Sequence, residues 1–262
     1  MGSASRVALE AAKKALASTK GVTLETGTQL LSAARDIAGS TQLRALLADP
    51  SIETAEKTAL IGRIFGSLDK PAAALLGELV STRWSNSDQL IDGIEQVGIR
   101  AIAQSADDGA IETDLFEFTR AVSSDPELEL AVGSSLGAPS EKAALVDRLV
   151  GKKGDPAAVA IIRHLVQSPR DRRIGELIQM ATETVADASG AFVATVTAAA
   201  PLTAAQLKAL TATLTTQYGR EPRVAVRVDP SVIGGLRVQV GDDVIDGTIA
   251  SRLTELRLQL AG

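Results

Sequence analysis

Residues Glu56–Ala73 read EKTALIGRIFGSLDKPAA, and residues Glu141–Ala158 read EKAALVDRLVGKKGDPAA. The two stretches lie 85 positions apart, and nine of their 18 residues are identical. Their apolar residues recur at spacings of three and four, which is typical of an amphipathic helix. Pro71 and Pro156 fall where a second helix is expected to begin, because proline loses no hydrogen bond at the first helical position. The chain therefore contains two copies of one helical unit.

The same pattern extends to both sides of these stretches. An offset of 85 pairs Leu30 with Leu115, and one inserted residue pairs Leu79 with Leu165. The unit is too long for a common solenoid repeat, so we expect two related small bundles. We predict three helical regions and a loop at Asp107-Asp108: an N-terminal helix over 1–23, a first bundle over 24–107 and a second bundle over 109–187.

Several local features of the first half can be predicted from residue types. A helix is expected to break near Gly39-Ser40. Ser87 or Asp88 is expected to cap the helix that follows Trp84. The first helix is expected to bury one rough stripe of apolar residues, formed by Val7, Leu9, Ala12 and Leu16.

After Gly190 the apolar period changes from helical to alternating. Residues 191–197 are rich in β-branched residues and predict a strand. A helix with a capping box at Thr203 and Gln206 should follow and stop at Gly219. Two further groups of alternating residues predict strands, and a last helix is expected from Thr248. The first helix is expected to bury Leu207, Leu210 and Leu214. On the strands, Val224, Val226 and Val228 are expected to face inward, Leu236, Val238 and Val240 alternate in the same way, and Val244 and Ile245 continue the strand after the turn. The last helix carries Ile249, Leu253, Leu256 and Leu260 on one stripe.

The predicted fold class is therefore mainly α with a small α+β C-terminal domain. Tandem helical bundles are followed by a mixed α/β module over 190–262.

Composition excludes several classes of function. Aromatic residues make up only 2% of the chain, which argues against single-stranded nucleic-acid binding by base stacking. The net charge of −5 argues against a general phosphate-binding surface. The chain has no cysteine, so disulfides and thiolate metal sites are excluded. No apolar run approaches the ~20 residues that span a bilayer, and no signal peptide is visible, so a soluble cytoplasmic protein is expected.

The residues that could carry chemistry lack the partners that chemistry requires. His164 is the only histidine, and a metal ligand or general base would need a second His or Cys beside it. Asp242-Asp243 fits a tight turn better than a carboxylate pair. Ser134-Ser135 lacks the nucleophile-elbow pattern. We therefore predict no catalytic, cofactor-binding or metal-binding residues.

Two further features allow alternatives. Trp84 fits packing in a helical core, with a partner-facing anchor as the other interpretation. Arg170, Arg172 and Arg173 form the strongest basic run. This run is either a solvated loop or a contact for an acidic partner surface.

Residues Val226–Ile249 read VRVDPSVIGGLRVQVGDDVIDGTI. The paired glycines suggest a bulge or a close backbone approach, and no phosphate-binding pattern surrounds them. This segment resembles the signature of the ATP synthase delta subunit family, called the oligomycin-sensitivity-conferring protein in mitochondria. The resemblance implies that the signature residues serve structure and stalk docking: Asp229, Pro230, Ile233, Gly234, Gly235, Leu236, Val244, Ile245, Asp246 and Gly247.

The likeness covers roughly residues 110–262. The extra copy in front resembles the long, duplicated actinobacterial type, and the chain looks like the form without a fused stalk segment. The family resemblance implies a non-catalytic delta subunit of the F-type proton-translocating ATP synthase, without cofactors. It would belong to the peripheral stalk, or stator, on the cytoplasmic face of the cell membrane.

The resemblance also implies two partners. The helical domain would grip the N-terminal helix of the alpha subunit, and the C-terminal domain would bind the C-terminus of the b-type stalk subunit. Two alternatives to this family are a generic helical adaptor and a small hydrolase. The missing catalytic residue sets disfavour the hydrolase.

Overall fold

The computed structural model describes residues 1–106, 110–134, 137–151, 154–241 and 243–249. The chain folds into two compact units, Met1–Val185 and Ala186–Gly262. The first unit is helical, and the second contains a small mixed sheet. The predicted fold class, mainly α with a small α+β C-terminal module, is confirmed.

The helical unit begins with α1 and continues through two successive sets of five helices. Their bounds are α1 Ser3–Ser18, α2 Leu24–Gly39, α3 Thr41–Ala48, α4 Thr54–Ile64, α5 Lys70–Ser81, α6 Ser87–Gln104, α7 Ala110–Ser124, α8 Pro126–Gly133, α9 Pro139–Leu149, α10 Pro156–Gln167 and α11 Ile174–Ala188.

The helix bounds follow the sequence repeat. Helices α3 and α8 are offset by 85 residues at both ends, and so are α4 and α9. Equivalent hydrogen bonds also fix the residues just before α5 and α10. The N–H of Asp69 donates to Gln29 Oε1 at 2.7 Å, and the N–H of Asp155 donates to Asp114 Oδ2 at 2.6 Å. Gln29 and Asp114 are themselves 85 positions apart, so the two sets of helices share this tertiary hydrogen bond.

Buried apolar side chains form a separate cluster inside each set of helices. Helices α1–α6 supply the first cluster. Helices α7–α11 supply most of the second, but Leu31 from α2 and Ile99 and Ile102 from α6 belong to it as well. The first set of helices therefore contributes side chains to the core of the second.

Local predictions in this unit are mostly confirmed. Helix α2 ends at Gly39 and α3 follows Ser40, whose hydroxyl accepts the Leu43 N–H. Trp84 is 5% exposed, and its indole N–H donates to the Leu79 carbonyl at 2.7 Å, so it packs in the core. Two predictions are wrong: Val7 is 72% exposed while Ala8 is buried, and Asn86 rather than Ser87 or Asp88 caps α6. Leu9, Ala12 and Leu16 are buried as predicted, and Ala8 takes the place of Val7 on the buried stripe of α1. Asn86 has the extended backbone that a cap needs, and its side chain accepts the Gln89 N–H.

The second unit combines a four-stranded sheet with one helix. Its elements are β1 Phe192–Ala198, α12 Ala204–Tyr218, β2 Pro222–Val228, β3 Leu236–Val240 and β4 Asp243–Asp246. The strand order is β2-β1-β3-β4, with β1 and β2 parallel and the other pairs antiparallel. The core of this unit consists of Phe192, Ala194, Val196, Leu214 and Val238, contributed by the helix and the sheet together.

The predicted capping box at Thr203 and Gln206 is confirmed, and so is the stop at Gly219, which has φ +69°. Two burial predictions are wrong. Leu207 is 37% exposed and Val228 is 45% exposed. Both lie near the ends of their elements, beyond the area that the small core covers. The predicted residues Leu253, Leu256 and Leu260 lie outside the described residues, as does Asp242 of the turn.

Candidate docking site and the buried charge cluster

The signature segment begins with a tight turn after β2. The Asp229 N–H donates to the Ala198 carbonyl at 2.8 Å, and Asp229 Oδ1 accepts from both the N–H and the hydroxyl of Ser231. These bonds from Ser231 lower the pKa of the Asp229 carboxyl. The turn fixes the direction in which the chain leaves β2 and approaches β3.

The twin glycines bring two distant parts of the signature together. Gly234 and Gly235 have φ values of +66° and +84°, where residues with a side chain are strained. A Cβ on Gly235 would overlap the Gly247 carbonyl oxygen and lie 2.8 Å from the Thr248 Cα. The Gly247 N–H donates to the Leu236 carbonyl at 2.8 Å, which holds the end of β4 beside the start of β3. The close backbone approach expected at Gly234-Gly235 is present.

The same segment leaves several apolar side chains exposed. Strand β4 is an edge strand, so one side of its backbone is free of β pairing among the described strands. The apolar side chains that are exposed on β4 and on the segments beside it, which we call the apolar edge, are Ile233 (71%), Val244 (46%), Ile245 (40%) and Ile249 (49%). Val244 and Ile245 are consecutive on β4 and therefore face opposite sides of the sheet, so this edge offers exposed apolar side chains on both of its sides.

The structure also shows a site in the helical unit that the sequence did not predict. Glu95 on α6 and His164 on α10 are each 1% exposed, and His164 Nε2 lies 3.1 Å from Glu95 Oε1. Arg170 Nη2 donates to Asp92 at 2.5 Å and to Glu95 at 2.6 Å. Two further side chains complete this buried charge cluster, which consists of Arg35, Asp92, Glu95, His164, Arg170 and Arg172.

The neighbours of His164 determine its tautomer. Arg35 Nη1 lies 2.9 Å from His164 Nδ1, and a guanidinium can only donate. Nδ1 is therefore the acceptor, and Nε2 carries the proton that it donates to Glu95. His164 is neutral in this arrangement.

Burial and charge shift the pKa values of the pair. Burial alone would raise the pKa of Glu95, but the hydrogen bond from His164 and the charges of Arg170 and Arg172 lower it to about 2. Burial lowers the pKa of His164, and the charges of Arg35 and Arg170 lower it further against the opposing effect of Glu95. The cluster therefore holds an ionised carboxylate and an uncharged imidazole.

The basic run has a partner that neither sequence interpretation named. Arg170 and Arg172 pair with Asp92 and Glu95 of the same chain. Arg170 and Arg172 therefore make a contact within the chain, and neither the solvated loop nor the acidic partner surface describes them. One signal was present in the sequence: Glu95 interrupts the apolar stripe of α6 beside Ile94, and a charge in that position needs a buried partner.

Across the described ranges, no three His, Cys, Asp or Glu side chains come together in a way that could hold a metal ion. No helix among those ranges is both long enough and apolar enough to cross a membrane. The site geometry thus offers surfaces for docking and a buried structural cluster.

Comparisons with known proteins agree with the signature. The family model for the ATP synthase delta (OSCP) subunit matches residues 99–260. A curated protein named ATP synthase subunit delta from Leifsonia xyli subsp. xyli is 47% identical over the full length of both chains. Proteins with the same name from Kineococcus radiotolerans and Streptomyces avermitilis are 38% and 35% identical, covering 91% and 98% of this chain and 88% and 98% of theirs.

Among solved structures, a chain from the cryo-EM structure of the Toxoplasma gondii mitochondrial ATP synthase hexamer aligns with a TM-score of 0.41 and 23% identity. The alignment covers 64% of this chain and 95% of that chain.

Proposed function

The chain belongs to the ATP synthase delta (OSCP) subunit family, and from this premise we propose how its two units hold the enzyme together. It is a non-catalytic subunit of the F-type ATP synthase and part of the peripheral stalk. A stalk subunit has to resist the torque of the rotor, so its task is mechanical. We propose one attachment for each unit, and a location that follows from the two.

The α/β unit binds the C-terminal end of the b-type stalk subunit through the apolar edge. Support comes from the exposed Ile233, Val244 and Ile245, which offer apolar area to an amphipathic helix. Gly234 and Gly235 act by shaping this surface. Their φ values and the close approach to Gly247 determine where Ile233 and β4 lie. The remaining signature residues serve the same geometry: Asp229, Pro230, Leu236, Asp246 and Gly247.

The helical unit binds the N-terminal helix of the alpha subunit, with the bundles of residues 24–107 and 109–187 acting as the grip. The buried charge cluster supports this role, because it joins α6 of the first bundle to α10 and the α10–α11 loop of the second. A grip that carries load benefits from a rigid joint. The two attachments place the protein at the cytoplasmic face of the cell membrane, where the catalytic head meets the stalk.

Two attachments on one chain reach high combined affinity through effective concentration. We expect combined binding of about nanomolar Kd, or roughly −12 kcal/mol.

The family membership carries this proposal, and calorimetry with two peptides tests it. The full chain is titrated with the C-terminal helix of the stalk subunit and separately with the alpha N-terminal helix. Heat with each peptide, and binding of both at once, is expected. Binding of neither peptide would contradict the proposal and would favour an adaptor for other helices.

A further inference from the structure

A cleft lies where the end of α2 meets α9 and the α10–α11 loop, so residues from both repeats line it. Its volume is about 520 Å³, which is in the range of small-molecule sites. Arg35 lines it from α2, Lys142 from α9 and Arg170 from the α10–α11 loop. Among the described residues that line the cleft, Asp171 is the one acidic residue, and it is exposed. Three elements therefore bring an excess of cationic side chains to one place.

Two of these cations have no carboxylate beside them. Lys142 is 5% exposed and donates to the Ser134 carbonyl, and burial lowers its pKa. Arg35 donates to the uncharged ring of His164, while the neighbouring Asp36 is exposed and acts on Arg35 from beyond ion-pair distance. Among the described residues, no carboxylate lies within 4 Å of either cation. A charge that leaves water without a counterion is costly, so these two side chains would stabilise an anion in the cleft.

The internal duplication shows how the equivalent lysine is neutralised in the first repeat. Lys142 corresponds to Lys57, which is also 5% exposed. Burial lowers the pKa of Lys57, and the charge of Asp49 opposes this effect. The residue equivalent to Asp49 in the second repeat is Ser134, 85 positions later. Lys142 thus keeps the buried position of its counterpart but lacks the acidic residue that accompanies it.

The arginine of the cleft shows the same difference in the opposite direction. Arg35 corresponds to Arg120, which pairs with Glu117 at 2.5 Å in the second repeat. The residue equivalent to Glu117 in the first repeat is Ser32. A serine therefore replaces the carboxylate in both cases, and in both cases this occurs in the copy whose cation lines the cleft.

The donors around the cleft favour a phosphate-like anion. Lys142 has three N–H donors and uses one of them on Ser134. Nε of Arg170 is buried and has no hydrogen-bond partner among the described residues. Helix α9 begins at the cleft with Pro139, and no side chain caps it, so the positive end of its dipole is available as well. Donors on several sides suit a tetrahedral anion, whose oxygens point in all directions, better than a carboxylate, whose two oxygens lie on one side.

We propose that this cleft binds a small phosphate-bearing anion, which bridges Arg35 of the first repeat to Lys142 and Arg170 of the second. The net charge of −5 argues against a general anion-binding surface, but the cleft is a local excess of cations. Its volume exceeds that of one phosphate group, so a polyphosphate binds more tightly than inorganic phosphate. The anion stabilises the joint between the repeats, because it binds the folded chain and not the unfolded one. The site needs neither of the two attachments proposed above.

Calorimetry of the full chain with inorganic phosphate and with pyrophosphate tests the site, with the ionic strength held constant by sodium chloride. We expect pyrophosphate to bind with a Kd of about 1 mM or below, and phosphate to bind more weakly. Lys142→Met should weaken pyrophosphate binding about tenfold, because one hydrogen bond from a charged group is lost. The matched control is Lys57→Met, which removes the equivalent buried lysine away from the cleft and should bind like the unaltered chain. Circular dichroism confirms that the variants are folded.

Ser134→Asp is a second variant, and it removes no cation. It gives Lys142 the carboxylate that Asp49 provides for Lys57, so pyrophosphate should again bind about tenfold more weakly. Pyrophosphate should also raise the urea midpoint of the unaltered chain, and it should raise that of Ser134→Asp by less. This second measurement reports on the folded chain without depending on the heat of binding.

Three outcomes would overturn the proposal. The first is that neither anion binds the unaltered chain. The second is that Lys57→Met weakens binding as much as Lys142→Met, since the loss of net charge would then account for both. The third is binding that neither Lys142→Met nor Ser134→Asp changes, which would place the anion outside this cleft. The stator role stands in all three cases.

Discussion

Glu95 and His164 belong to different helical repeats and meet in a hydrogen bond of 3.1 Å, with each side chain only 1% exposed. Because Arg35 must donate to the other ring nitrogen of His164, the bond to Glu95 has a defined direction. Arg170 and Arg172 approach the second oxygen of the same carboxylate at 2.6 and 2.9 Å. The joint between the repeats is thus a fully buried carboxylate that several donors from the second repeat surround.

Removal of this carboxylate should destabilise the helical unit strongly. Glu95→Ala leaves His164 buried without its acceptor and leaves Arg170 with Asp92 alone, which costs about 3–5 kcal/mol in comparable cases. Urea unfolding followed by circular dichroism measures the loss. The matched control is Glu117→Ala, which breaks the exposed pair with Arg120 and should cost less than about 1 kcal/mol. Equal losses in the two variants would show that the buried cluster contributes little.

Acid should weaken the same joint. The pKa of His164 is lowered in the folded protein, so the unfolded chain takes up the proton first as the pH falls. The contribution of His164 to the free energy of unfolding is therefore fully present above the ordinary histidine pKa of about 6.5 and declines below it, by at most about 1.4 kcal/mol per pH unit. Glu95, whose pKa is about 2 when folded, adds a second decline as the pH falls below its ordinary value.

Urea midpoints at several pH values from about pH 8 to about pH 5 measure the first decline. His164→Gln removes the titrating group, so its profile should be flatter than that of the unaltered chain over this range. A profile that is unchanged by this substitution would place the acid sensitivity elsewhere.

Much of the helical architecture follows from the sequence because the same helix signals occur in both copies of the repeat, so each copy supports the assignment made in the other. The positions of α4 and α9 follow from the shared Glu-Lys pair and apolar spacing. The twin glycines predicted a bulge or a close backbone approach, and the structure shows the approach, with Gly247 as the neighbour. The charge cluster did not follow, since Glu95 lies 69 positions from His164 and 75 from Arg170 and shares no motif with them. Burial at element ends, as at Val228, also depends on how far a small core extends, which alternation alone does not give.

Gly235→Ala should disrupt the signature segment by overlap with the backbone of Gly247 and Thr248. The control is Gly219→Ala, because Gly219 also has positive φ, but nothing lies within 4 Å of the position that a Cβ would take there. The control isolates the conformational cost of about 1–2 kcal/mol. Gly235→Ala should lower the free energy of unfolding of the α/β unit by clearly more than this. Hydrogen exchange of the amides in β3 measures that free energy. Equal costs would mean that the overlap relaxes without penalty.

Gly93→Ala tests the packing of the first bundle. A Cβ at residue 93 would overlap the ring of Trp84, which is 5% exposed. We expect the free energy of unfolding to fall by about 1–3 kcal/mol because the site would be overpacked. The fluorescence emission of Trp84 should shift to the red, because the indole is displaced toward water. Trp84 is the only tryptophan, so its fluorescence reports this bundle alone. Gly77→Ala on α5 is the control; nothing lies within 4 Å there, and alanine should stabilise the helix by up to about 1 kcal/mol.

Val244→Asp should separate stalk binding from folding. Val244 is 46% exposed on the edge strand β4, so its replacement removes little buried apolar area from the module. When the stalk helix covers this surface, however, the new carboxylate would be desolvated without a partner. Binding should therefore weaken about tenfold to a hundredfold. Titration of the full-length variant with the stalk subunit's C-terminal helix measures this change. Thr213→Asp places the same charge on the exposed side of α12 and should leave the affinity unchanged. If the two variants bind equally well, the apolar edge does not receive the stalk, and another face of the α/β unit has to be considered.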